Sequence, residues 1–165
     1  MNPTLESMLR FVNLTTAGLL AGSLGFGEVA LVPGWKQELP REKMKPFDAI
    51  KTANYFNAIG PVALGTAVTL AVAGRGRNPV KRILDSAAAI GLVGVLATTV
   101  MVTVPINREL EEQPATDYPS DRSQSLARNW SRAHAVRTTL GVGAFICTVG
   151  ASLTSRRRRR ARPKA

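Results

Sequence analysis

ILDSAAAIGLVGVLATTVMVTVPI, residues 83–106, holds one charged side chain, Asp85, in 24 positions. A helix needs roughly 20 mainly apolar residues to cross ~30 Å of hydrocarbon, so this run reads as a membrane span. Three further apolar stretches accompany it, at 11–32, 57–73 and 135–153. The second is short alone, but Phe47, Ile50, Asn54, Asn57 and Pro61 recur at spacings of three and four, which starts its helix earlier. The expected fold is all-α, an antiparallel four-helix transmembrane bundle with spans at about 11–32, 55–73, 83–106 and 135–153. These spans make one domain over residues 1–155, with 156–165 as a basic cytoplasmic tail. The mean hydropathy of +0.02 is low only because polar loops and that tail dilute the apolar runs.

The first apolar run is expected to be retained. Its leader, residues 1–10, carries one basic side chain, and no small-x-small cleavage site follows. Cys147 is the only cysteine, which excludes an internal disulfide and a dithiol redox centre. The single histidine, His134, excludes bis-histidine haem ligation within one chain.

Charge gives the orientation. Four crossings place both termini and the loop between the second and third spans on one side of the membrane. Twelve of the 22 lysines and arginines fall there, concentrated in the short middle loop and after Arg156. The other two loops balance their ten with Glu38, Glu42, Asp48, Glu109, Glu111, Glu112, Asp117 and Asp121. The positive-inside rule therefore puts the termini in the cytoplasm. The net charge of +11 does not imply a nucleic-acid partner. The run from Arg156 to Arg160 follows a span directly and reads as an orientation signal and an anchor for anionic lipid. Residues 113–125, rich in Pro, Ser, Thr and Asp, read as a mobile outer loop.

Up-down connectivity brings the end of span 1, the start of span 2, the end of span 3 and the start of span 4 to the same outer side. The polar residues of the spans concentrate there: Glu28, then Asn54 and Asn57, then Thr99, Thr103 and Asn107, then Trp130, His134 and Arg137. At 100° per residue the last three share one helical face. The cytoplasmic half, by contrast, reads as Ala, Val, Leu and Gly and little else, with Asp85 taken as a first-turn charge favourable to its helix dipole. An ionisable group in a span costs about 2.5 kcal/mol or more unless paired or wetted. Glu28 therefore needs a partner such as His134 or Arg137, or a place at the headgroup level. The asparagines serve either as interhelical glue or as site lining. Trp130 and Arg137 have bland alternatives too, as a belt aromatic and a lipid-phosphate ligand. Gly18, Gly22 and Gly25 form a small-residue face suited to close helix contact.

A glycine-rich first helix ending near Pro33, Asn54 to Asn57 opening the second, Pro105-Ile106-Asn107 closing the third and Trp130-x-x-x-His134-x-x-Arg137 opening the fourth resemble the anthrone oxygenase-like family of small four-helix membrane proteins. The resemblance runs from about Phe11 to Leu153. It implies a cofactor-free oxygenase that converts a lipophilic anthrone-type aromatic to a quinone with dioxygen. It further implies His134 as base, Arg137 or Asn107 as stabiliser of the enolate oxygen and Trp130 as a stacking surface. Asn54, Asn57, Glu28, Phe47 and Tyr55 are expected to line the substrate site. Two alternatives stay open, a non-catalytic membrane scaffold or accessory protein and a lipid or quinone binder.

Overall fold

Two Asn-Pro steps start helices in the same way. Asn2 and Asn78 each sit in extended backbone and accept, through the side-chain oxygen, the N–H two residues on (Thr4 at 2.9 Å, Val80 at 3.0 Å). The proline between them occupies the first helical turn, where no N–H is needed. The structure, a computed structural model, describes residues 1–33, 49–73, 78–112 and 121–160, and its regular elements there are all helical. They are α1 (Pro3–Phe26), α2 (Ala49–Ala73), α3 (Pro79–Thr98), α4 (Val104–Glu112) and α5 (Asp121–Arg160). A π turn, Gly27–Leu31, extends α1, and a second, Thr99–Thr103, joins α3 to α4, so the five helices form four rods.

The rods make an all-α four-helix bundle. α5 packs on α1 and α3, and α2 packs on the same two from the other side, leaving α2 and α5 diagonal. Leu20, Leu24, Ala63, Ala67, Ala89, Leu92, Val95 and Ala144 fill the interior. Half of that set is alanine, which lets the helices approach closely. α3 and α5 are one such pair. A Cβ on Gly91 would lie 3.1 Å from the Leu140 carbonyl, and one on Gly94 2.9 Å from the Leu140 side chain. The glycine face expected on α1 does not work this way. Gly18 meets Phe145, but Gly22 and Gly25 have open space beyond them. Together with Leu19, Phe26 and Tyr55, Gly22 instead borders a shallow apolar groove on the outer surface of α1.

Outside, the bundle is apolar: Phe11, Phe26, Val29, Ile90, Met101 and Ile146 are all well exposed. Three helical stretches are long and apolar enough to cross a membrane, Asn54–Ala73, Pro79–Glu109 and Gln124–Thr154. A membrane protein follows from that surface.

Two expectations fail. The last rod begins at Asp121, so residues 121–125 are helix and not loop. The half of the bundle nearer the N-terminus is not purely apolar either. Asp85 lies seven residues into α3, buried, in a two-pronged ion pair with Arg10 (3.1 and 2.8 Å). Arg10 also donates to Glu6 at 3.2 Å, and Lys81 reaches the same Glu6 oxygen. Asn13 donates to the Ala63 carbonyl and to Thr66, both at 3.0 Å. Asp85 is therefore half of a cross-helix pair, not a dipole charge.

The spacing of this layer is informative. Arg10 and Glu28 are 18 positions apart on the first rod, and Asp85 and Thr103 are 18 apart on the third. At ~1.5 Å per residue both intervals span about 27 Å. That is close to the thickness of the hydrocarbon core. The bundle thus carries one polar layer near each face of an apolar slab.

Candidate functional site

The second polar layer centres on His134, which is 4 % exposed. Its position follows from the first half of α5, where Trp130, His134 and Arg137 share a face as their spacing predicts. Trp130 lies flat on the imidazole, with ring centroids 5.0 Å apart and planes 7° from parallel. His134 Nε2 lies 3.2 Å from the Leu24 carbonyl, and Thr138, one turn on, donates to the same oxygen at 3.3 Å. Arg137 Nη1 donates to Thr103 Oγ1 at 3.0 Å, and Nη2 lies 3.4 Å from His134 Nδ1.

Each partner comes from a widened turn or the residues just before one. Thr103 closes the π turn of the third rod. Leu24 stands just before the π turn of the first, and that turn also carries Glu28. A π turn interrupts the i→i+4 ladder, which makes room for side chains of a neighbouring helix to engage the backbone. Gly27 completes the fit. A Cβ there would lie 2.7 Å from His134 Nε2, so only glycine lets the ring approach the first rod this closely.

The hydrogen bonds fix the proton. A carbonyl only accepts, so Nε2 carries the hydrogen and Nδ1 presents its lone pair to the Arg137 guanidinium. Both ring nitrogens are thereby engaged. The lone pair at Nδ1, which a base would use, faces the Arg137 guanidinium.

Glu28 joins the cluster from the first rod, with Oε2 4.0 Å from His134 Nε2. Glu28 Oε2 and Arg137 Nε are buried without a hydrogen-bond partner among the described residues. Buried polar atoms are nearly always paired, so two such atoms beside one imidazole need an explanation.

The remaining sequence candidates are placed less centrally. Asn107 is half-buried on α4, one turn beyond Thr103 on the same face. Asn54 and Asn57 are exposed on α2, the rod diagonal to α5. Tyr55 is also exposed and donates its hydroxyl to the Leu19 carbonyl at 3.3 Å, beside the outer groove. Phe47 lies outside the described residues. Thr103, which its spacing with Thr99 and Asn107 had marked, joins the cluster; Thr138, Gly27 and the Leu24 carbonyl complete it but were not singled out by sequence. Of these only Thr138 carried a signal, its i+4 spacing from His134. Among the described residues no three His, Cys, Asp or Glu side chains come together as a metal-ligand group.

A family model described as anthrone oxygenase matches residues 50–147, more than half of the chain. The chain belongs to the anthrone oxygenase family. Comparison with curated proteins and with solved structures gave no match. The segment shared with the anthrone oxygenase model holds Thr103, Trp130, His134 and Arg137. Leu24, Gly27 and Glu28 lie before it, on α1 and its π turn.

Proposed function

We propose that this protein is a cofactor-independent membrane oxygenase, oxidising a lipophilic anthrone-type substrate to a quinone with dioxygen. The observation that carries this reading is the cluster of buried His134 and Arg137 with the half-buried Trp130 and Glu28, held by two π turns at one polar face of a family-matched bundle.

The chemistry asks little of a protein beyond proton handling. The central methylene of an anthrone is acidic because its carbanion is an aromatic enolate. Removal of that proton, assisted by the His134 cluster, leaves charge on the enolate oxygen, which Arg137 or Asn107 stabilises. The electron-rich anion then passes one electron to dioxygen. Recombination of the two radicals and loss of water yield the quinone, so one substrate and one O2 give one quinone and one water. Well-placed proton abstraction typically contributes about 10²–10⁴-fold. Trp130 and Tyr55 supply aromatic surface, and the exposed apolar belt suits a substrate and an oxidant that both partition into lipid. Both termini are assigned to the cytoplasm by the excess of Lys and Arg at that end, where the Arg156 to Arg160 run meets anionic lipid.

A second reading, a non-catalytic scaffold, draws on the same burial. His134 and Arg137 tie three rods together whether or not a substrate reaches them. Oxygen uptake separates the two. The purified protein in detergent should accelerate oxygen consumption with an anthrone, and His134→Ala should lose that acceleration while remaining helical. Equal rates for the two proteins would leave the scaffold.

A further inference from the structure

Two atoms of the cluster are left over once its hydrogen bonds are assigned, and they are chemically complementary. Glu28 Oε2 is an acceptor and Arg137 Nε–H a donor, each buried and without a partner among the described residues. They lie to either side of the imidazole. The carboxylate is 4.0 Å from Nε2, while the guanidinium is 3.4 Å from Nδ1. His134 itself is committed, donating from Nε2 to Leu24 and facing Arg137 with Nδ1. A second proton could enter the ring only at Nδ1, against a permanent cation. That makes the imidazole a poor destination for a substrate proton.

Glu28 is also the more accessible side chain, although its Oε2 faces inward. Its side chain is 33 % exposed, against 5 % for that of His134. Three other carboxylates are committed elsewhere. Glu109 is held by Arg122 in an exposed pair, and Glu6 and Asp85 belong to the opposite polar layer.

Resting on the oxygenase reading, we infer that Glu28 is the catalytic base and Arg137 Nε the oxyanion donor, with His134 a positioning residue between them. The substrate class is a ketone whose enolate is aromatic. In the first step the substrate C–H bond breaks and an O–H bond forms at Glu28. The electron pair moves to the carbonyl oxygen, which accepts a hydrogen bond from Arg137 Nε–H. After oxygen adds at the carbon, Glu28 returns its proton to the peroxide. The regenerated carboxylate then removes the second hydrogen of that carbon as hydroxide leaves, so the proton and hydroxide make the product water. His134 holds the two charged side chains apart. Without it they would collapse into an ordinary ion pair and neither would meet substrate.

Deprotonation can be observed without oxygen. The test is anaerobic exchange of the anthrone methylene hydrogens in D2O, followed by NMR, with full-length protein in detergent. Wild type should accelerate exchange, and Glu28→Gln should reduce the acceleration by about 10²-fold or more. Glu28→Ala should regain exchange with added acetate but not with chloride. His134→Asn should retain more exchange than Glu28→Gln, a ranking that a merely structural role for Glu28 would not produce. Full exchange by Glu28→Gln, or its absence of rescue as Glu28→Ala, overturns the assignment of the base while wild-type acceleration leaves the oxygenase reading standing. If wild type accelerates neither exchange nor oxygen uptake, both fall together.

Discussion

Gly27 and His134 touch across the first and last rods so closely that a single methyl on Gly27 would lie 2.7 Å from the imidazole Nε2. The ring tip must then move, since the alternative is to displace the helix backbone. Movement breaks the 3.2 Å bond to Leu24 and unsettles the stack on Trp130. Gly27→Ala should therefore keep the helical content of wild type but lower oxygenation by about 100-fold, the scale of a 1 Å misplacement. Circular dichroism with oxygen-uptake rates measures both; undiminished activity would show that the imidazole position does not matter.

Thr103 gives a gentler test on the opposite side of the cluster. Thr103→Val preserves shape and removes the oxygen that accepts Arg137 Nη1. The guanidinium already has one unpartnered nitrogen among the described residues, so a second is costly. A hydrogen bond to a charged group contributes about 1.5–3 kcal/mol, which sets the expected loss in detergent unfolding. Thr103→Ser, which restores the oxygen, should recover most of it.

The four rods and the His134 face were readable because both depend on periodicity. Apolar length marks the spans, and positions 130, 134 and 137 fall on one side of any helix. The π turns were not readable. Whether a ladder widens by one residue at Gly27–Leu31 or Thr99–Thr103 is decided by what the neighbouring helix inserts, which hydropathy does not record. The opposite polar layer was missed for a related reason. Arg10 and Asp85 are 75 residues apart, and each alone looks like an ordinary charge near the end of a span. Only the packing of α1 near α3 reveals them as a pair.

Acid should weaken that layer. Burial alone raises the carboxyl of Glu6, but hydrogen bonds and charge from Lys81, then Arg10, outweigh it and hold Glu6 below its ordinary value of 4.5. Because the folded value is below the unfolded one, the stabilisation is complete above about pH 4.5 and fades as pH falls through the folded value. Melting in detergent between about pH 7 and about pH 3 should show this decline, and Glu6→Gln should flatten it in that window. A parallel decline for both proteins would assign the acid sensitivity to other groups.

Arg10 and Asp85 decide how that layer should respond to truncation. Each side chain is nearly buried, and each satisfies the other through two hydrogen bonds. Burial alone lowers the affinity of Arg10 for its proton, but Asp85 and then Glu6 more than restore it, so the guanidinium stays charged. Asp85→Ala leaves Arg10 only the Glu6 oxygen that Lys81 already shares, and loss of one partner from a buried pair costs about 3–5 kcal/mol. Replacing both with apolar residues, Arg10→Met with Asp85→Leu, leaves no stranded charge and should recover most of the loss. Lys81 and Glu6 remain to satisfy each other in that double variant. The coupling energy from the four proteins of the cycle, measured by thermal unfolding in one detergent, should be well above the ~0.5 kcal/mol expected of independent sites. Additive losses would mean that the two charges are wetted separately, and the layer would then be two interfacial residues and not one pair.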